Sequence, residues 1–148
     1  MLLNFPVNKD GVIPPKDVNS INEFKKYLDT TFTSGFFKDK NTSWVNVNNG
    51  KSKEYKLSSK TKVNVLVIQE DISKGQRVES FSIQYFDDVS SSYKDVTLAK
   101  ISTKTETIGY KRIIKFNTVT TDKIKITINE TRLPANITSV NVYYSANY

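Results

Sequence analysis

Residues 70–86 read EDISKGQRVESFSIQYF. The stretch opens on two acids, bends at Lys74-Gly75, and runs into an alternating strand in which Phe81, Ile83 and Tyr85 share one face. A Lys-Gly pair between apolar segments is a turn signal. Alternation at period two is the mark of a strand with one buried face. The residues just upstream, 63–68 (VNVLVI), are apolar at nearly every position, as in a strand covered on both sides.

Outward from this stretch the same pattern repeats. Ile108, Tyr110, Ile114 and Phe116 are expected on one inward face, with Arg112 among them. Ile124, Ile126 and Ile128 form another such face, and Val140, Val142 and Tyr144 a fourth. Turn residues at 48–50, 58–59, 74–75, 87–88 and 120–122 separate the runs. They predict strands near 44–48, 53–57, 62–69, 77–86, 95–101, 107–117, 122–129 and 137–144. Eight short strands imply a mainly β fold, an antiparallel jelly-roll β-sandwich with two facing sheets.

One helix precedes the strands. Val18, Ile21, Phe24, Leu28 and Phe32 fall on one stripe at helical spacing, predicting a helix over 17–32. Asp17 is a candidate cap, Ser20 and Glu23 a candidate capping box, and Thr33-Ser34-Gly35 the stop. The chain then divides into 1–35 and a β-sandwich domain at 36–148.

Composition removes several chemistries. The 148 residues contain no cysteine and no histidine. Disulfides, thiolate nucleophiles, Cys-based metal sites and the usual neutral-pH general base are therefore excluded. No apolar run approaches the roughly 18 residues of a membrane span. Residues 1–6 are too short and uncharged for a signal peptide, which predicts a cytoplasmic chain or a piece of a longer secreted one. The formal charge is +7. The lysines are scattered, and Lys111/Lys115 and Lys123/Lys125 alternate with apolar residues as on the wet face of a strand. The alternative is a basic face for a polyanion.

Three stretches carry a resemblance. Residues 2–11 (LLNFPVNKDG), 70–86 and 107–116 (TIGYKRIIKF) are similar to motifs of the alpha-L-fucosidase family of glycoside hydrolases. In that family the first motif closes the catalytic (β/α) barrel, and the other two lie on an appended galactose-binding or discoidin-like β-sandwich. The resemblance implies that residues 1–35 are the end of the barrel. It also implies that both catalytic carboxylates lie upstream of residue 2, so that no residue here is catalytic. A (β/α)₈ barrel alone needs about 250 residues. The implied role is barrel support or weak carbohydrate binding, with the barrel of a longer parent as partner. The barrel-facing stripe on the helix is also a candidate for self-association through residues 1–32.

The family-like polar residues are Glu70, Asp71, Gln76, Arg77 and Arg112. They fit a turn in which Arg77 pairs back to an acid, or a contact between sandwich and barrel, or a sugar contact. A buried Arg112 requires an acid or carbonyls, which marks it as an anchor. Trp44 and Tyr93 are candidate sugar platforms, with Tyr55 and Tyr148 the other rings outside the expected core. Related sandwiches often hold a structural calcium near the first strand. Asp39, Asn41 and Ser43 offer oxygen ligands there, although Lys40 replaces the usual glycine. No other cofactor is expected.

Overall fold

The computed structural model describes residues 6–33, 35–100 and 104–146. Leu2 to Phe5 of the opening motif, the end of the strand expected at 95–101, and Tyr148 lie outside the described residues. Two compact units are present, one carrying the helix and one spanning Gly35–Ala146.

The helix, α1, runs Pro15–Thr31. It starts two residues before the expected cap because Pro15 at its first position has φ already set for helix and lacks an N–H that would go unpaired. No side chain caps it. The Asp17 N–H itself donates to Pro14 O (2.9 Å), and Ser20 Oγ donates to Lys16 O (3.1 Å), so neither serves as the expected cap. Asp17 instead places a negative charge in the first turn, where the helix dipole favours it. The rings of Phe24 and Tyr27 stack at 6.5 Å, and Tyr27 meets Phe32 edge-on at 6.2 Å.

The second unit is a six-stranded antiparallel sheet. Its strands are β1 (Trp44–Val47), β2 (Lys51–Glu70), β3 (Val78–Asp87), β4 (Ser92–Asp95), β5 (Arg112–Thr131) and β6 (Ala135–Tyr143). The order across the sheet is β1-β6-β2-β5-β3-β4. The expected pairs 53–57/62–69 and 107–117/122–129 are each one strand of 20 residues. Hydrogen bonding continues through the turn-like residues because β2 and β5 bulge together, between Lys56 and Thr61 and between Val63 and Val65. A bulge bends a strand and sharpens its twist, so β2 and β5 run on through both bends within one sheet.

The bends also change which residues point inward. On β2, Tyr55 and Leu57 are buried before the bulges, and Leu66 and Ile68 after them. Asn64 sits at the second bulge, buried but satisfied. Its Oδ1 accepts from Ser145 N (2.8 Å) and its Nδ2 donates to Ser145 O (2.9 Å). One apolar cluster joins both halves of the sheet, from Phe81, Ile83, Ile124, Ile126 and Ile128 to Ile114, Phe116, Val140 and Val142. The fold is mainly antiparallel β with one helix, and its folded sheet is consistent with a β-sandwich.

Three inward assignments change, Tyr144 among them, since it lies just past β6 and is half-buried. Tyr110 is 70% exposed, because Gly109 at φ +66° turns the chain before β5 begins at Arg112. The expected strand at 107–117 therefore begins five residues late. Tyr85 is half-buried and packs on the cluster from its edge.

Candidate functional site

The two sequence motifs meet. Glu70 ends β2 and is 2% exposed. Its N–H donates to Gly109 O (3.0 Å), joining residues 70–77 to residues 107–110. Its Oε1 accepts from Arg77 N (2.7 Å) and Val78 N (3.1 Å), so one carboxylate oxygen closes the loop into β3. A Cβ at Gly109 would stand 3.7 Å from Gln76 Oε1, so Gln76 covers this turn closely. Gly75 takes φ +87° at the bend, where a side chain would be strained.

The rest of the loop is bound just as locally. Asp71 N donates to Asn136 O (2.8 Å), and its Oδ1 accepts from Ser73 N (3.0 Å). The Ser73 bonds hold the Asp71 carboxyl below its ordinary range. Arg77 does not pair with an acid. Its guanidinium donates to Pro134 O, while its own carbonyl accepts from Arg132 N and Thr131 Oγ1, each at 3.0 Å. Arg112 is half-buried and donates to Lys104 O (3.0 Å). The motif residues are thus bound inward by one another and by nearby carbonyls. Around them the large apolar side chains left exposed are Ile72, Tyr110 and Leu133, at 42%, 70% and 59%.

The candidate platforms lie elsewhere. Trp44 is half-buried against the apolar cluster. Tyr55 is buried, stacks on Phe37 at 5.0 Å, and donates to Thr42 O (3.2 Å). Its burial pushes the phenol well above its usual range. Tyr93 on β4 is half-buried; its hydroxyl donates to Glu54, and Lys125 Nζ stands 4.1 Å from its ring centre. Desolvation first, then Glu54, raises its phenol well above the usual range. Tyr93 meets Phe86 edge-on at 5.4 Å, and Lys123 Nζ lies 4.5 Å over the Phe86 ring. Phe86 drew no notice in the sequence because it continues an apolar strand. Its place beside Tyr93 depends on the β3–β4 hairpin register, Phe86 opposite Tyr93.

The calcium candidates form a tight turn. Asn41 N donates to Asp39 Oδ1 (2.9 Å), and Ser43 Oγ donates to Asn41 Oδ1 (2.7 Å). Calcium takes six to eight oxygens. This set offers one carboxylate beside Lys38 and Lys40, with its amide oxygen already accepting, so it fits that ion poorly. Among the described residues no group of three or more metal-binding acids occurs.

No family model matches the sequence. A protein of Oryza sativa subsp. japonica assigned as an alpha-L-fucosidase is 23% identical over 171 residues, covering 97% of this chain and 32% of its own length. The crystal structure of a protein from Bacteroides ovatus ATCC 8483 with the same assignment is 36% identical, with TM-score 0.86, over 98% of this chain and 23% of that one. A glycoside hydrolase 29 family member from an unknown rumen bacterium is 28% identical, with TM-score 0.82, over 97% of this chain and 25% of that one. The chain spans a quarter to a third of the length of these relatives. It is therefore similar, along nearly its whole length, to one region of the alpha-L-fucosidases, a share consistent with a C-terminal region of such a protein.

Proposed function

We propose that this chain is the non-catalytic C-terminal β-sandwich of an alpha-L-fucosidase-like glycoside hydrolase, a jelly roll of the galactose-binding or discoidin kind that supports a catalytic barrel and binds carbohydrate weakly. The observation that carries the reading is the coverage. Relatives match 97–98% of this chain but only 23–32% of themselves. A retaining glycosidase needs two carboxyl groups about 5–5.5 Å apart across a sugar pocket. The acids of the joined motifs and of the β3–β4 hairpin lie in turns and at strand ends, bound to local N–H groups or to lysines. Glu70 is committed to two backbone donors, Asp71 to Ser73, and Asp87 to Lys94.

The exposed Ile72, Tyr110 and Leu133 beside the joined motifs supply a surface against which a barrel could pack. Rigid motif loops behind them would fix the docking angle. The test has two arms. The purified chain should release no aryl alcohol from an aryl alpha-L-fucoside above background. Turnover abolished by a single Asp or Glu substitution would overturn the reading. In the second arm, the barrel of the Bacteroides ovatus relative, cut free of its matching region, should melt higher when that region is restored. An unchanged melt would remove the supporting role.

A further inference from the structure

One outward face of the sheet carries a row of lysines that the supporting role does not use. Lys56 on β2 stands directly opposite Lys123 on β5. On the other edge of β2, Phe37 bridges Leu57 and Lys38 N donates to Lys56 O (2.8 Å), which puts Lys38 opposite Lys56. Lys123 lies over Phe86, and Phe86 faces Tyr93. The row Lys38–Lys56–Lys123–Phe86–Tyr93 thus crosses four adjacent strands and the bridged segment at Phe37–Lys38 beside β2, about 19 Å at the usual strand spacing. Like charges directly opposite on a sheet repel. Among the described residues, no carboxylate lies within ion-pair distance of Lys38, Lys56 or Lys123, whereas Lys60 and Lys94 nearby are matched by Asp88 and Asp87. At the Lys38 end the row opens on a groove of about 470 Å³ that also has Asn41, Lys53 and Tyr55 in its walls, with the carboxylates of Asp39 and Glu54 among them. That volume is within the usual range for a ligand site.

We propose that this row and groove bind an acidic polysaccharide, one bearing carboxylate or sulfate groups separated by neutral hydroxyls. The proposal rests on the carbohydrate part of the reading above and names its ligand class. Three cations in line, none of them paired with a carboxylate among the described residues, supply the attraction. The Phe86–Tyr93 pair, each ring already under a lysine ammonium, closes the far end of the row. Neutral and acidic hydrogen-bonding groups flank the row, with Ser52 and Thr127 joined at 2.8 Å, Gln84 bonded to Asp95 at 2.9 Å, and Glu54 beneath Tyr93. These suit sugar hydroxyls. Asp87 and Asp88 are already matched by Lys94 and Lys60, so the uncharged hydroxyls and amides beside the row are what favour a sugar chain over a nucleic acid.

The test uses the full chain with polygalacturonate, chondroitin sulfate, neutral dextran and a single-stranded DNA 12-mer as probes, at low and moderate salt. Binding to at least one acidic polysaccharide is expected, weakening with salt, with none to dextran. Lys56→Gln/Lys123→Gln should weaken it roughly tenfold, a change of about 1.4 kcal/mol, while Lys74→Gln at the opposite loop should leave it unchanged. Lys38→Gln, on the exposed edge, is the companion variant should the double variant fold poorly, and it should weaken binding in the same direction. Absence of binding to both acidic polysaccharides, or binding indifferent to the lysine variants, would overturn the proposal. So would DNA binding of equal strength with the same losses, which marks a general polyanion surface. None of these outcomes touches the fucoside or barrel-melting arms above, so the two readings fail separately.

Discussion

Glu70 shows how one buried side chain can hold two motifs. Its Oε1 serves two backbone donors entering β3, and its own N–H reaches Gly109. Glu70→Ala would strand the Arg77 and Val78 N–H groups, at about 1–3 kcal/mol for each buried donor left unpaired. Glu70→Gln keeps an acceptor at Oε1 and should cost less. Urea unfolding of both variants checks this, and a loss below about 1 kcal/mol for the alanine would show that the loop is held by other bonds. Asp87 makes a pH prediction. The Lys94 ammonium, then Ser90, hold its carboxyl at about 2, against about 3.9 for an ordinary Asp. A carboxyl held low stabilises the folded chain fully above its unfolded value, and that share drains away as pH falls from about 4 toward 2. The melting temperature of Asp87→Asn should therefore trail the parent at pH 6 and converge with it by about pH 2. A gap that persists unchanged in acid would contradict the pairing. The sequence showed that residues 70–77 and 107–116 were special but not that they touch, since pairing across 39 residues leaves no local signal. Tyr110 misled for a related reason. Its alternation with Ile108 and Ile114 is real in the sequence, but Gly109 takes a left-handed conformation that breaks the strand period.

At the scale of elements, hydrophobic rhythm located five of the six strands; the errors lay in where strands end and at 95–101, where among the described residues only an isolated bridge at Leu98 forms while β4 occupies Ser92–Asp95. Ser58-Ser59 and residues 120–122 carry turn chemistry, yet both fall inside strands of 20 residues. Tertiary pairing overrides the local preference there. Thr121 shows how, its Oγ1 donating to Phe86 O (2.9 Å) and accepting from Lys123 N (3.1 Å) to hold the bend. The helix begins two residues before Asp17 because Pro15 suits the first helical position. The inward faces around Phe81 were legible because two strands in register, β3 and β5, present the same period, with Phe81 opposite Ile128 and Ile83 opposite Ile126. Phe81 is fully buried at their centre. Phe81→Ala should cost about 3–5 kcal/mol of stability in chemical unfolding, the transfer loss plus a cavity in a packed core. A loss under about 1 kcal/mol would mean the layer can collapse around the gap or that the face is assigned wrongly.

For the molecule as a whole, the apolar stripe of α1 sets the open question of assembly. One helix cannot make a core of its own, and an isolated helix of this length is marginal in water. Val18 and Phe24 remain 39% and 36% exposed. Burying a side chain of this kind is worth roughly 1.5–3 kcal/mol, so the 148-residue chain on its own has a strong incentive to cover the stripe. The Gly35–Ala146 unit needs no such help, since its apolar cluster lies wholly within it. We therefore expect a chain beginning at Gly35 to fold cooperatively and to stay monomeric, while the full chain self-associates through residues 1–32. Acidic polysaccharide should bind both forms alike, because Lys38, Lys56 and Lys123 all belong to the retained unit. Light scattering on the two forms across a concentration series decides the assembly. A full chain that stays monomeric with its helical amides strongly protected from exchange would mean that the stripe is already covered within one molecule. A Gly35 chain that fails to fold would show that the sheet depends on the helical unit, and that the supporting relation runs in both directions.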